Sequence, residues 1–510
     1  MKLLKLTALI LTALILLTSC GTQGRVFDTK LGDVRRSFND DFTIPEVPLT
    51  GGDIPDDFKA FYEAEDGELV GCSKKGRASA SGGGVVAGLD AESDTLTFKV
   101  SVPSDGMYDL IFTYFSSSVE RVNRLIVDGN EQGEIKCNVE NEIDDYHNRN
   151  IYLSEGEHDI TIGVSWGWVE YDCLTIVKSN AVTADTYNVT CSLSNPNADD
   201  NTRRLYNFLC DIYGNYSLTG QYADGGRSSE HYDYVLDTTG KEFAVLGLDM
   251  MSYTRVNKDH GAVGNSMEHA HDWYHNAGGI VQYCWHWNSP KPYVAYGANY
   301  WNSFYAENSD IDLDLIMNGE DERGYELLMK DIDNIATELQ KLRDDGVPIL
   351  WRPLHEAAGG WFWWGDCEPE SYIKLWRTMY DKMTNEFNLT NIIWMWNGQN
   401  LDWYPGDDVV DIVSWDIYAD RYEYGSYSST FATLTESYGE TKLIALSENG
   451  IVMDPELCFR DNARWLFWGT WGGEYASAMY TSDEMLYKAY NSEYTLTLDE
   501  LPNLQKYRLE

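Results

Sequence analysis

The chain has 510 residues and a formal net charge of −44, from 38 Lys and Arg against 82 Asp and Glu. Such acidity excludes nucleic acid and anionic lipid as partners, because both require a basic face. It also disfavours an acidic polymer and leaves a neutral one compatible. The length suggests two or three domains.

The N-terminus opens MKLLKLTALILTALILLTSCGTQ. Lys2 and Lys5 precede an apolar run, Leu6 to Leu17, that has signal-peptide length and is short for a membrane span. Leu17-Thr18-Ser19-Cys20-Gly21 resembles a bacterial lipobox, which implies a lipoprotein signal peptide over residues 1–19 and lipidation at Cys20, with an ordinary secretory signal and an incidental cysteine as the alternative. The expected location is extracytoplasmic, at the cell surface or membrane, with Cys20 as the only membrane attachment. Residues 20–57, with Pro45, Pro48 and Pro55, read as a flexible tether. Eight further cysteines contain no C-x-x-C pair, so structural zinc is not indicated, and their pairing is open.

Residues 58–180 carry short alternating strands without a helical period. Thr95 to Val100 alternates, Met107 to Phe115 is longer, and Leu125-Ile126-Val127 enters a turn at Asp128-Gly129-Asn130. An all-β sandwich of the jelly-roll kind is predicted. Tyr62-Glu63-Ala64-Glu65, Gly82-Gly83-Gly84, Tyr108-Asp109-Leu110 and Tyr171-Asp172-Cys173-Leu174-Thr175-Ile176 resemble carbohydrate-binding modules of family 35. The resemblance implies a structural calcium held by Glu63, Glu65 and Asp172, whose all-oxygen donors suit that ion. Trp166 and Trp168 share one strand face and are candidates for sugar stacking or for core packing. Residues 181–201 read as a linker.

From residue 202 to 510 the texture alternates between apolar strands and helical stretches. Eight strands are predicted: Tyr216–Gln221, Phe243–Asp249, Ile280–His286, Val347–Arg352, Ile392–Asn397, Asp411–Asp416, Lys442–Glu448 and Trp465–Trp471. Eight such units imply a (β/α)8 TIM barrel, whose functional residues sit at the C-terminal strand ends. Those ends supply His286, Arg352, His355, Glu356, Asp416, Tyr418, Glu448 and Trp471. The glutamates of strands four and seven face each other across the mouth, beside the cluster Trp361-Phe362-Trp363-Trp364. Two opposed carboxyls with indoles are the equipment of glycoside hydrolysis. Arg352 and Tyr418 are candidates to keep Glu448 ionised, while the indoles around Glu356 raise its pKa by desolvation. His269, His271 and His275 fall on one short helix, with His271 and His275 on one face. Without a carboxylate partner in view, their metal signal is weak.

Trp285-His286-Trp287-x-x-Pro290, Arg352-Pro353-x-His355-Glu356, Trp361 to Gly365, Trp403-Tyr404-Pro405-Gly406-Asp407, Asp416-x-Tyr418 and Leu446-Ser447-Glu448 resemble glycoside hydrolase family 26 over about residues 202 to 505. The resemblance implies a retaining barrel enzyme, an endo-β-1,4-mannanase, with Glu356 as acid/base and Glu448 as nucleophile. His286, Arg352, His355, Trp361, Asp416, Tyr418 and a strand-eight aromatic would shape the subsite. Trp471 is favoured over Trp468 for that last place. No cofactor is implied for catalysis; the partner is a neutral mannan-type polysaccharide, and the expected form is a monomer. β-1,3-Xylan or mixed-linkage β-glucan is the alternative within this chemistry, and a non-catalytic glycan-capture lipoprotein is the alternative outside it. Ala357-Ala358-Gly359-Gly360 departs from the family pattern after the acid.

Overall fold

The computed structural model describes residues 38–116, 121–137, 143–167, 169–439 and 441–509. Residues 1–19, read above as a signal peptide, and Cys20 and Trp168 lie outside these residues. Among the described residues no helix is long and apolar enough to cross a membrane.

The N-terminal domain is a sandwich of a six-stranded and a five-stranded sheet. The strand Thr95–Val102 buries alternate residues, Leu96, Phe98, Val100 and Val102, as a half-buried strand should. Phe112, Ile160 and Leu174 face them from other strands to form the core. The predicted hairpin joins Arg121–Val127 to Asn130–Cys137, with Val127 paired to Asn130. Asp128 and Gly129 both take positive φ, 51° and 83°, as the two-residue turn of this hand requires.

The C-terminal domain is a closed barrel of eight parallel strands: Gly220–Tyr222, Val245–Asp249, Ile280–Cys284, Ile349–Arg352, Ile392–Trp396, Ile412–Ile417, Leu443–Asn449 and Trp468–Thr470. Each overlaps its predicted counterpart. The first differs most. Ser217–Leu218 leaves the barrel to pair with Thr495–Leu496, and the barrel strand proper begins at Gly220. A Cβ at Gly220 would sit 2.2 Å from the Trp468 carbonyl oxygen, so strands one and eight can close only around a glycine. The shift carries the strand on to Tyr222 and delivers that side chain to the barrel mouth. Helix Glu322–Asp345 packs Leu328, Ile332, Ile335, Leu339 and Leu342 against the barrel and ends at Gly346, φ 74°.

Two expectations about connecting segments need correction. Of the residues read as tether, 38–50 lie against the barrel and Ile54 packs into the sandwich core. Phe42 packs on Phe208 with centroids 5.8 Å apart, and Arg464 donates to the carbonyls of Val47 and Pro48 at 2.6 Å each. Asn462 exchanges hydrogen bonds with the main chain of Thr50. The segment is held through its own backbone, which composition does not reveal. The linker 181–201 is likewise packed: Tyr187 stacks on Phe431, and Cys191 forms a disulfide with Cys210 of the first barrel-domain helix, Asp200–Ile212.

The sandwich is docked on the barrel. Asn150 Nδ2 donates to the Asp461 carbonyl at 2.7 Å, Arg149 pairs with Glu436 at 3.2 Å, and the Arg460 guanidinium lies 4.3 Å from the Tyr152 ring centre.

Candidate active site

Strand four ends in Arg352, which is fully buried. The chain then turns sharply, with Leu354 at φ 51° and Glu356 at φ 52°. Positive φ at two bulky residues is strained backbone of the kind held at functional sites. Asn397, just past strand five, holds the turn: its carbonyl and its Oδ1 accept from the Glu356 amide at 2.7 and 3.1 Å. The departure at Ala357 to Gly360 has a steric reason. The Trp361 ring folds back across Gly359, where a Cβ would come within 2.1 Å of it. In that pose the indole N–H donates to Glu356 Oε2 at 3.0 Å.

Glu448, on strand seven, accepts from Arg352 Nη2 at one oxygen and from the Tyr418 hydroxyl at the other. The Arg352 fork also donates to Asp416 Oδ2 at 2.6 Å and to the Tyr222 hydroxyl at 3.1 Å. A change of register between strands six and seven, at Trp415/Asp416, sets Asp416 directly opposite Glu448. One guanidinium thus bridges two buried carboxylates, with Asn397 and Ser447 donating to Asp416 Oδ1 at 3.0 and 2.8 Å.

One oxygen each of Glu356, Asp416 and Glu448 lies within 4.8 Å of the others. That proximity agrees with the spacing of about 5–5.5 Å between carboxyls in retaining glycosidases, and not with the roughly 6.5–9.5 Å of inverting ones. The environments differ as well. Burial, then the negative charges of Asp416 and Glu448, push Glu356 up from 4.5 to about 9, against Arg352 and the Trp361 bond. Burial raises Asp416 as well, against the pull of Arg352. His355 is held neutral by burial and by the cations Arg352 and His286. Burial alone would lower His286, but Asp249, 2.6 Å from its Nδ1, outweighs that and raises it.

The raised Glu356 has a consequence for stability. The folded chain retains a proton there that the unfolded chain releases at a carboxylate's ordinary pKa. Its contribution is therefore full below about pH 4 and lost progressively as pH rises toward 9. Glu356→Gln should melt higher than the parent at pH 8, with the gap closing toward pH 5; melting curves across that range check it.

These groups line a cleft of about 870 Å³ that also takes in His286, His355, Trp361, Tyr418 and Trp471. Arg352 lies behind its floor. Trp361 and Tyr418 are 47% and 42% exposed, open enough to meet a ligand face. Trp471 stands 4.7 Å from Tyr222 and 5.7 Å from His286, whereas Trp468 is 1% exposed, in the core. Several participants were not selected from sequence: Tyr222, Asp249, Asn397, Gln399, Tyr475 and Lys136. Lys136 belongs to the sandwich, so the two domains share the cleft wall. The spacing of strand ends could have pointed to Asn397; nothing local could have placed Lys136.

Residues 194–500 match glycosyl hydrolase family 26, and residues 60–180 match carbohydrate-binding module family 35. The chain belongs to glycosyl hydrolase family 26. Its relatives include a mannan endo-1,4-β-mannosidase of Thermothelomyces thermophilus, 36% identical over 447 residues, 87% of this chain and 91% of the relative. Among solved structures, the Podospora anserina GH26-CBM35 β-(1,4)-mannanase is 34% identical with a TM-score of 0.62, covering 88% of this chain and 100% of that one. A β-mannanase from a symbiotic protist of the termite Reticulitermes speratus, complexed with gluco-manno-oligosaccharide, is 30% identical. Its TM-score is 0.55, and the match covers 62% of this chain and 98% of that one.

In the module joined to this family 26 barrel, Glu63, Glu65 and Asp172 converge on the turn Ser81–Gly84. Ser81 donates to Asp172 Oδ2 through its amide at 3.1 Å and to Glu63 Oε1 through its hydroxyl at 2.9 Å. A Cβ at Gly82 would lie 2.9 Å from Glu65 Oε1 and 3.2 Å from Glu63 Oε1. Glu63 Oε2, Glu65 Oε2 and Asp172 Oδ1 are buried without a hydrogen-bond partner among the described residues. Burial, with the Glu65 charge, raises Asp172. Orphaned, mutually repelling carboxylate oxygens fit a hard cation. Trp166 is 55% exposed, with Arg121 stacked 5.0 Å from its ring centre.

Proposed function

We propose that the protein is a retaining endo-β-1,4-mannanase acting on mannan, glucomannan or galactomannan. The observation that carries this is the Glu356–Glu448 pair: two carboxyls close together across a barrel mouth, in opposite electrostatic settings. The names of the relatives supply the sugar. Glu356, protonated at neutral pH, gives its proton to the glycosidic oxygen as Glu448 attacks the anomeric carbon. The C–O bond to the leaving sugar breaks and a glycosyl ester on Glu448 forms. Glu356, now a carboxylate, takes a proton from water; the water oxygen attacks the anomeric carbon and Glu448 departs. Arg352 and Tyr418 fix the Glu448 oxygens in position for attack. His286, His355, Trp361, Asp416, Tyr418 and Trp471 form the subsite around the reacting sugar. No cofactor takes part in these steps.

Reducing-end release on pure glycans tests the substrate, and loss of viscosity tests internal cleavage. Mannan-type polymers should be hydrolysed and thinned. Turnover confined to β-1,3-xylan or mixed-linkage glucan would replace the sugar assignment, and binding without hydrolysis would make the protein a capture module.

Calcium held by Glu63, Glu65 and Asp172 would brace the Ser81–Gly84 turn by neutralising carboxylates that otherwise repel. A chelator should lower the melting temperature of the sandwich, and added calcium should restore it; melting that chelator leaves unaltered removes the ion. Cys20 is read as the lipid-bearing residue of an extracytoplasmic monomer, supported by the apolar run and motif before it. Cys20→Ser should move the protein from the membrane fraction to the soluble one.

A further inference from the structure

The helix Ser266–Asp272 continues through a π turn, Trp273–Ala277, before strand three. Across that junction His271 and His275 point at the same residue, Asp345, the last of the helix Glu322–Asp345 that leads into strand four. His271 Nδ1 lies 2.6 Å from Asp345 Oδ2, and His275 Nε2 lies 3.1 Å from the same oxygen. His275 Nε2 is also 3.0 Å from the Asp345 main-chain oxygen. One ligand-type atom from each of the three lies within 4.8 Å of the others, and all three side chains are 20–27% exposed, within reach of solvent. Both segments lie at the N-terminal face of the barrel, away from the cleft at the strands' C-terminal ends.

We propose that His271, His275 and Asp345 form a divalent transition-metal site of the zinc type, tying the segment before strand three to the helix before strand four. Two imidazoles and a carboxylate are a donor set suited to zinc, cobalt or nickel, and histidines four apart on one helical face are a common way to present it. Metal–ligand bonds of about 2.0–2.2 Å place ligand atoms roughly 3.3 Å apart, so each histidine–aspartate pair needs to open by less than about 1 Å. The surroundings favour a cation. Asp345 stands at the negative end of its helix, and Glu268 and Asp272 add their charge beside His271. The Gln505 amide, 3.4 Å from His275 Nδ1, is placed to orient that ring. A ligating imidazole must be free of a proton at its bound nitrogen, so zinc competes with protons there.

The test uses the full chain, stripped with chelator and titrated with zinc chloride in excess calcium. Calorimetry should show one equivalent bound with proton release, and the melting temperature should rise by several degrees. The double variant His271→Gln/His275→Gln should bind zinc at least about ten-fold more weakly while hydrolysing mannan normally without zinc. No binding, or unchanged affinity in the double variant, overturns the site; the latter would move the metal to Asp249–Cys284–His286 or to the catalytic carboxylates. Should the variant fail to fold, anomalous diffraction at the zinc edge decides with the parent protein. A peak between the two histidines supports the site, and a peak elsewhere or none overturns it.

Discussion

Glu448→Ala should lose hydrolysis of mannan by on the order of 10⁴-fold or more, and sodium azide should restore turnover while producing a glycosyl azide of inverted configuration. The size follows from what the side chain does. Its two oxygens are fixed by Arg352 and Tyr418, so the barrel delivers the nucleophile already oriented, whereas the neighbouring carboxylate Asp416 is engaged by Arg352, Asn397 and Ser447. Alanine opens a space on the same face of the sugar, which a small anion can enter. Attack from that face inverts the anomeric centre once, and no second displacement follows. Because Arg352 is left with only Asp416 as its carboxylate partner, some stability is lost as well. Melting curves beside the kinetics separate the two effects: azide rescues turnover and not the melting temperature.

Glu356→Ala should fail differently. On polysaccharide the loss should be about 10²–10⁴-fold, the usual contribution of a positioned acid. On an aryl mannoside with a good leaving group, which needs no proton, formation of the glycosyl-enzyme should continue. The pH profile gives a second signature. Glu356 is raised to about 9 by burial and by its acidic neighbours, so the parent should keep the required acid form through neutrality and lose activity as pH climbs past that value. This alkaline limb should vanish in Glu356→Ala acting on the aryl substrate. An alkaline limb that persists unchanged would mean that a group other than Glu356 sets it.

The barrel was largely legible because its strands are buried on both faces and stand out as apolar runs between helical stretches. The rim was legible because a charge or an indole at the end of such a run has few structural uses. Long-range placement was not. Tyr222 was missed because the first apolar run ends at Gln221, and only the steric closure at Gly220 shifts the strand. Residues 38–50 look like tether because their attachment runs through main-chain carbonyls to Arg464, more than 400 positions away. The partner of His271 and His275 escaped notice for the same reason: Asp345 is 74 and 70 positions away from them and meets them only once the barrel closes. Lys136 shows the limit most clearly, since a strand in one domain lines the cleft of another through docking contacts that no local pattern encodes.

Proton NMR of the earliest hydrolysis products, recorded before mutarotation, tests the central claim most directly. The closeness of Glu356 and Glu448 predicts two successive displacements, so the first reducing-end signal from a β-linked manno-oligosaccharide should be β, with the α anomer growing in only as the sugar equilibrates. An initial α signal would mean a single displacement by water and would contradict the assignment of Glu448 as nucleophile.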